Sequence, residues 1–119
     1  MDKYSLAPRK SAHIISEVAF LSKDEVVIAT GQLANATVLG KKDDGTFIQL
    51  DVAAEATEAT VAAAVLFGFV NANDAPVTGL AHVRLTAVEA SKLVWPEGIT
   101  EPQKLAALAE LAELNIIAR

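Results

Sequence analysis

The chain contains no cysteine, which excludes disulfides, thiolate metal sites and cysteine nucleophiles together and leaves its redox compartment open. Aromatic residues supply only 5% of it: one tryptophan, one tyrosine and four phenylalanines, scattered from Tyr4 to Trp95. So few aromatics do not line a ligand cleft of the usual kind. No apolar run reaches the roughly 18 residues of a membrane span, so no membrane association is expected. Lys3, Arg9 and Lys10 precede an apolar stretch that begins at Ile14. Ser16 and Glu17 interrupt that stretch at once, so no signal peptide is expected. Basic residues are outnumbered 15 to 10 by acidic ones, leaving a net charge of -5, and they are scattered. Phosphate affinity rests on clustered Lys and Arg, so direct nucleic-acid binding is not expected. Internal repeats and low-complexity tracts are also lacking.

What the sequence has is alanine. Of its 119 residues 52% are hydrophobic, yet much of that share is Ala, as at Ala53, Ala54, Ala62 to Ala64, Ala106 and Ala107. The length suits one domain with a real core. Small side chains bury little area each, so part of the stabilising burial is expected from oligomer contacts or a partner.

Residues 1–12 mix charge, Pro8 and small side chains without periodicity and read as a flexible amino-terminal arm, with Tyr4 and Leu6 as its large apolar anchors. Residues 13–119 form a single domain. Within it Val26, Val27 and Ile28 mark a strand over Glu25 to Thr30, closed by Gly31, and Thr37 to Leu39 mark the next, closed by Gly40. Asp44 and Gly45 suit a turn with positive φ, which folds the strand Thr46 to Val52 back on its predecessor. Ala53 to Thr60 reads as a loop or short helix. Val61 to Val70 and Thr78 to Glu89, separated by the turn cluster Asn71 to Pro76, predict a second hairpin. Val83, Leu85 and Ala87 alternate there with Arg84 and Thr86, which places the former on the covered face.

The last third is helical. Thr100 and Gln103 form a capping box with Pro102 in the first turn, starting a helix from Glu101 to about Leu114. Leu105, Leu108, Leu111 and Leu114 recur every three residues and together cover nearly half the cylinder, more than a single sheet needs. Asn115 tolerates the left-handed conformation that stops the helix, and Ile116 and Ile117 leave as a terminal strand. The fold class is therefore α+β, mostly antiparallel β with one carboxy-terminal helix.

Chemistry is sparse. His13 and His82 are the two histidines. Neither lies in a metal-ligand spacing or beside a nucleophile elbow, so both read as structural or surface residues, and His82 is expected on the polar face with Arg84. Asp43, Asp44 and Asp51 lack the ligand spacing of a calcium loop and fit turns. Glu55, Glu58, Glu110 and Glu113 could supply a carboxylate pair, but the last two lie on a helix flank where solvation explains them. Gly31 and Gly40 belong to no phosphate-cradling motif. No catalytic residue, cofactor or metal is expected. Trp95, ahead of Pro96, is either a core plug or an exposed anchor for a partner.

Several segments taken in order carry a resemblance. They are Ala29-Thr30-Gly31-Gln32-Leu33, Thr37-Val38-Leu39-Gly40-Lys41, Ala62-Ala63-Ala64-Val65-Leu66, Leu93-Val94-Trp95-Pro96-Glu97-Gly98-Ile99-Thr100 with the helix behind it, and the ending Asn115-Ile116-Ile117-Ala118-Arg119. From about Ile14 to Arg119 the chain resembles the head decoration protein family of tailed bacteriophages. Two positions depart from the family pattern: Ala36 stands where Gly is frequent, and Asn115 stands where the helix usually stops at Gly.

The resemblance implies a homotrimer on the outer surface of the expanded phage head, at three-fold and quasi-three-fold positions, which stabilises the major capsid protein lattice against packaged DNA. It implies no catalysis, a location on the virion exterior, and synthesis in the bacterial host cytoplasm. It also implies that the arm, with Tyr4, Leu6, Pro8 and Arg9 as candidate contacts, adds a strand to the capsid protein, where backbone hydrogen bonds supply affinity. Trp95 and Pro96 are candidate interface anchors. The competing reading is a small β-rich ligand- or carbohydrate-binding module.

Overall fold

A computed structural model of the chain describes residues 11–119. The expected arm lies outside these residues except for its last two positions. The elements are β1 (Ile14–Glu17), β2 (Lys23–Ile28), β3 (Gln32–Leu33), β4 (Val38–Lys41), β5 (Phe47–Gln49), β6 (Ala62–Phe67), β7 (Val70–Asn71), β8 (Val77–His82), β9 (Thr86–Val88), a short 3-10 helix (Ala90–Lys92), α1 (Glu101–Glu113) and β10 (Ile116–Ala118).

Five strands close a barrel in the order β2-β5-β4-β6-β8, while β1, β9 and β10 form a second sheet and β3 pairs with β7. Both predicted hairpins form, β4 with β5 and β6 with β8. In the first turn Gly45 has φ of 90°, and Asp44 Oδ1 accepts from the backbone N–H of Thr46 at 3.0 Å. The expectation of a mostly antiparallel fold is corrected, because the pairing is mixed. A ring of five strands cannot alternate direction all the way round, so one seam must be parallel. That seam is β2 against β5, where Ile28 faces Phe47. The second parallel pair is β10 on β9, and between them runs α1, the kind of crossover that a parallel neighbour requires.

Two cores result. Val26, Ile28, Leu39, Phe47, Ala64, Leu66 and Ala81 fill the barrel. Val38, Ala62, Val65, Val88, Leu93, Ala107, Leu111 and Ile116 form the other, between the barrel wall, α1 and the small sheet. Strand β6 is apolar throughout because both of its faces are covered. A bulge beside β4 moves the register from Leu39↔Ala64 to Gly40↔Ala62. Ala62 and Val65 therefore join the outer core, and Ala64 and Leu66 the inner one.

Other expectations shift in phase. The run Thr78 to Glu89 is broken between β8 and β9, where Leu85 has φ of 49°. The break inverts the faces, so that Thr86 and Val88 are buried and Leu85 is exposed. The capping box of Thr100 and Gln103 is present, and the helix ends at Glu113 with Leu114 as its cap. Asn115 has φ of 63°. On α1 only Ala107 and Leu111 are buried, while Leu105 is 67% exposed and Leu114 is also exposed. The helix leans on one narrow stripe, so the broad leucine face is left half uncovered. Ala36, at φ of 73°, is held from both sides: its N–H donates to Leu66 O and its carbonyl accepts from Val94 N.

Candidate functional site

The histidines are not on the surface. His13, just ahead of β1, and His82, at the end of β8, are both buried. Their rings meet edge to face at 6.1 Å between centroids, and Phe67 of β6 packs against both, at 6.5 Å and 5.4 Å. The expectation that His82 shares a polar face with Arg84 is thus corrected, since the chain turns between β8 and β9 and only His82 enters the barrel seam. Its Nε2 lies 2.6 Å from Glu17 Oε1, and Lys23 adds a positive charge 3.8 Å from that oxygen. Lys23 Nζ also stands 4.3 Å from the centre of the Phe67 ring. Burial pushes His82 below the usual imidazole range, with the Glu17 carboxylate acting in the opposite sense. Burial, then the neighbouring His82, lower His13 to about 4. This cluster is a packed junction between the small sheet and the barrel, and among the described residues no serine or other nucleophile is hydrogen-bonded to its rings.

Three of the candidate carboxylates, Asp51, Glu58 and Glu110, accept hydrogen bonds from the backbone. Asp51 accepts from Ala53 N and Glu58 from Asp43 N. Glu110 is not merely solvated as its place on the helix flank suggests, because its Oε1 accepts from the backbone N–H of Ala62 at 2.9 Å and ties α1 to β6. Among the described residues no group of three or more metal-ligating side chains comes together. Arg84 pairs with Asp24 at 2.7 Å on the surface.

Tyr4, Leu6, Pro8 and Arg9 lie outside the described residues. Trp95 is half-buried against the outer core, so it is part plug and part surface. The segment holding it is fixed to the barrel by Val38 N–H donating to Val94 O and Val94 N–H donating to Ala36 O. Pro96, Glu97 and Gly98 form one wall of an open cleft of about 560 Å³ whose other walls include Leu33, Leu50 and Asp51.

The surfaces rather than any reactive constellation are therefore the features to identify. The family model described as bacteriophage lambda head decoration protein D matches residues 7–116. The chain belongs to this head decoration protein family. Comparison with curated proteins finds no match. The family is one of structural proteins of the bacteriophage virion capsid.

Exposed apolar groups are candidate contact points for a partner, and one was not legible in the sequence. The turn between β1 and β2 carries Val18, Phe20 and Leu21, all exposed, with Phe20 at 102%. Phe20 has φ of 67°, a region that costs a bulky residue roughly 1–2 kcal/mol. Ser22 maintains it. The buried Ser22 Oγ accepts from Val18 N and donates to Leu85 O, both at 2.8 Å. Ser22 N–H and Leu21 N–H both donate to Val18 O. The turn is thus a braced support that holds a phenylalanine clear of the body.

Proposed function

We propose that the chain binds as a homotrimer to the outer surface of the expanded phage head, at three-fold positions of the major capsid protein, and stabilises it against packaging pressure. The observation that carries this reading is the family match across residues 7–116. In this reading the chain is made in the host cytoplasm, works on the virion exterior and catalyses nothing. Residues 1–12 act as a capsid-binding arm and residues 13–119 as the body. The contacts are Tyr4, Leu6, Pro8 and Arg9 on the arm, and Trp95, Pro96 and the braced Phe20 on the body. Tethering reinforces each weak contact: three arms and three bodies on one trimer raise the effective concentration of every contact once the first has formed. A rigid aromatic anchor loses little conformational entropy when it is covered, which suits Phe20 to that task.

The test is to mix purified protein with undecorated expanded heads and with unexpanded ones and to measure bound protein against concentration, with sedimentation reporting the oligomer. Saturable coating of expanded heads alone by a trimer is expected. A monomer that ignores both kinds of head would instead favour a free-standing binding module. Deleting residues 1–12 is expected to leave the trimer folded and to weaken coating by at least tenfold. Full-affinity coating by the truncated chain would remove the arm from the mechanism.

Phe20→Gly separates attachment from stability. Glycine relieves the left-handed strain, roughly 1–2 kcal/mol, and gives back about 0.5–1 kcal/mol in chain entropy. Little packing is lost, because the side chain is fully exposed. Stability in denaturant is therefore expected to hold or to rise by up to about 1 kcal/mol while head coating weakens. Unchanged coating would take Phe20 out of the interface.

A further inference from the structure

We propose that His13 is an acid-sensitive latch, which when protonated leaves its pocket and frays the first residues of β1, Ile14 and Ile15, from a barrel that stays folded. The inference concerns the protein alone and holds whatever surface it binds.

The geometry carries it. His13 is buried and, among the described residues, neither ring nitrogen has a hydrogen-bond partner. A neutral imidazole in such a place already leaves one N–H unsatisfied, and an imidazolium leaves two, with a full charge. The groups around it offer the charge little relief. From β8 comes His82, itself able to become positive, and from β6 the ring of Phe67. From β2 comes the Lys23 ammonium, seated on that same Phe67 ring. Lys92 of the 3-10 helix shares a cavity wall with His13. Glu17 of β1 is the nearby carboxylate, and it is engaged by His82 and Lys23. Glu89 holds His13 through its backbone N–H, on the His13 carbonyl, and its carboxylate accepts from Ser91. On acidification His82 can take up a proton beside the Glu17 carboxylate, and His13 then has no free counterion among the described residues and a cation beside it.

The element that yields is set by connectivity. His82 lies in the wall of the barrel, paired across to Lys23 on one side and Val65 on the other. His13 stands at the start of β1, which among the described strands is an edge strand paired with β9. Lifting His13 out breaks the Glu89–His13 hydrogen bond and frays the start of β1 while Glu17 at its far end stays paired with His82, whereas moving His82 would tear two seams. Local opening is therefore the less costly response.

The sign follows from linkage. His13 is held at about 4 when packed and titrates near 6.5 when released, so the open form binds more protons and opening rises as pH falls. The opening equilibrium is expected to grow about 30-fold by pH 5 and on the order of 100-fold by pH 4, and to level off below that. Hydrogen exchange of the full chain, corrected for intrinsic rates, reads it directly. Protection in residues 14–15 and 88–89 is expected to fall across pH 6.5 to 4 while residues 62–67 stay protected, and His13→Leu is expected to abolish the fall. Parallel loss in both regions, or an unchanged fall in His13→Leu, would overturn the latch. If His13→Leu does not fold, a proton resonance titration of the wild-type imidazoles decides: a His13 midpoint near 4 to 5 supports the proposal and one near 6.5 defeats it.

Discussion

Gly40→Ala is expected to cost at least about 3 kcal/mol, a large part of the 5–15 kcal/mol that holds a typical domain together. The reason is space and not conformational freedom. A Cβ on Gly40 would overlap the carbonyl oxygen of Ala59 and stand 2.7 Å from the Ala59 Cα and carbonyl carbon. Those are backbone atoms, which cannot swing aside as the end of a side chain can. Nor can either backbone retreat. Gly40 is paired on both sides within the barrel, to Ile48 of β5 and Ala62 of β6. Ala59 is buried, with φ of 58°, and its carbonyl accepts from Asp51 N at 2.9 Å. Relieving the overlap therefore means opening a barrel seam or losing that hydrogen bond. Urea unfolding monitored through Trp95 fluorescence, at matched chain concentration, should show the midpoint fall sharply or the variant fail to fold. A shift of less than 1 kcal/mol would mean that the 53–60 loop is far more compliant than its burial says.

The sequence pointed to Gly40 as a strand terminator, and the difference shows what a pattern can and cannot encode. Local signals were read well because their partners are a few residues away: Asp44 and Gly45 in a turn, Thr100 with Gln103 at a helix start, Asn115 at its end. Alternation told which residues share a face but not which strand lies alongside, so the parallel seam between β2 and β5 and the close approach of Ala59 to Gly40 were both invisible. The inverted faces of β9 trace to Leu85, where a β-branch-free residue sits in the left-handed region and resets the count. His82 was placed on the surface because its neighbour Arg84 is polar. Its actual partner, Glu17, lies 65 residues upstream and comes near only through the fold. Of the candidate site, Trp95 and Pro96 were proposed from their residue types, whereas Phe20 required the knowledge that its ring is fully exposed. An apolar residue in an apolar stretch reads as core, and only the Ser22 brace makes it otherwise.

The helix offers the second large effect and a direct check on how alanine and leucine divide the work. Leu111 is fully buried, seated among Val38, Val65, Val88, Leu93 and Ile116, so it joins the barrel wall to the small sheet through α1. Leu111→Ala removes three carbons from a site whose walls are two sheets and cannot close over the gap, and about 3–5 kcal/mol of stability is expected to go with them. Leu105 occupies an equivalent place in the threes repeat, yet it is 67% exposed, and Leu105→Ala is expected to change unfolding by no more than about 0.5 kcal/mol. Paired denaturation curves at one chain concentration make the comparison, since oligomer formation would otherwise move both. Equal losses would mean that the leucine face packs as its period suggests and that the helix leans further over than described. Unequal losses leave Leu105 and Leu114 as apolar surface the single chain does not cover, in a protein whose alanine-rich core gives it reason to use such surface against a neighbour.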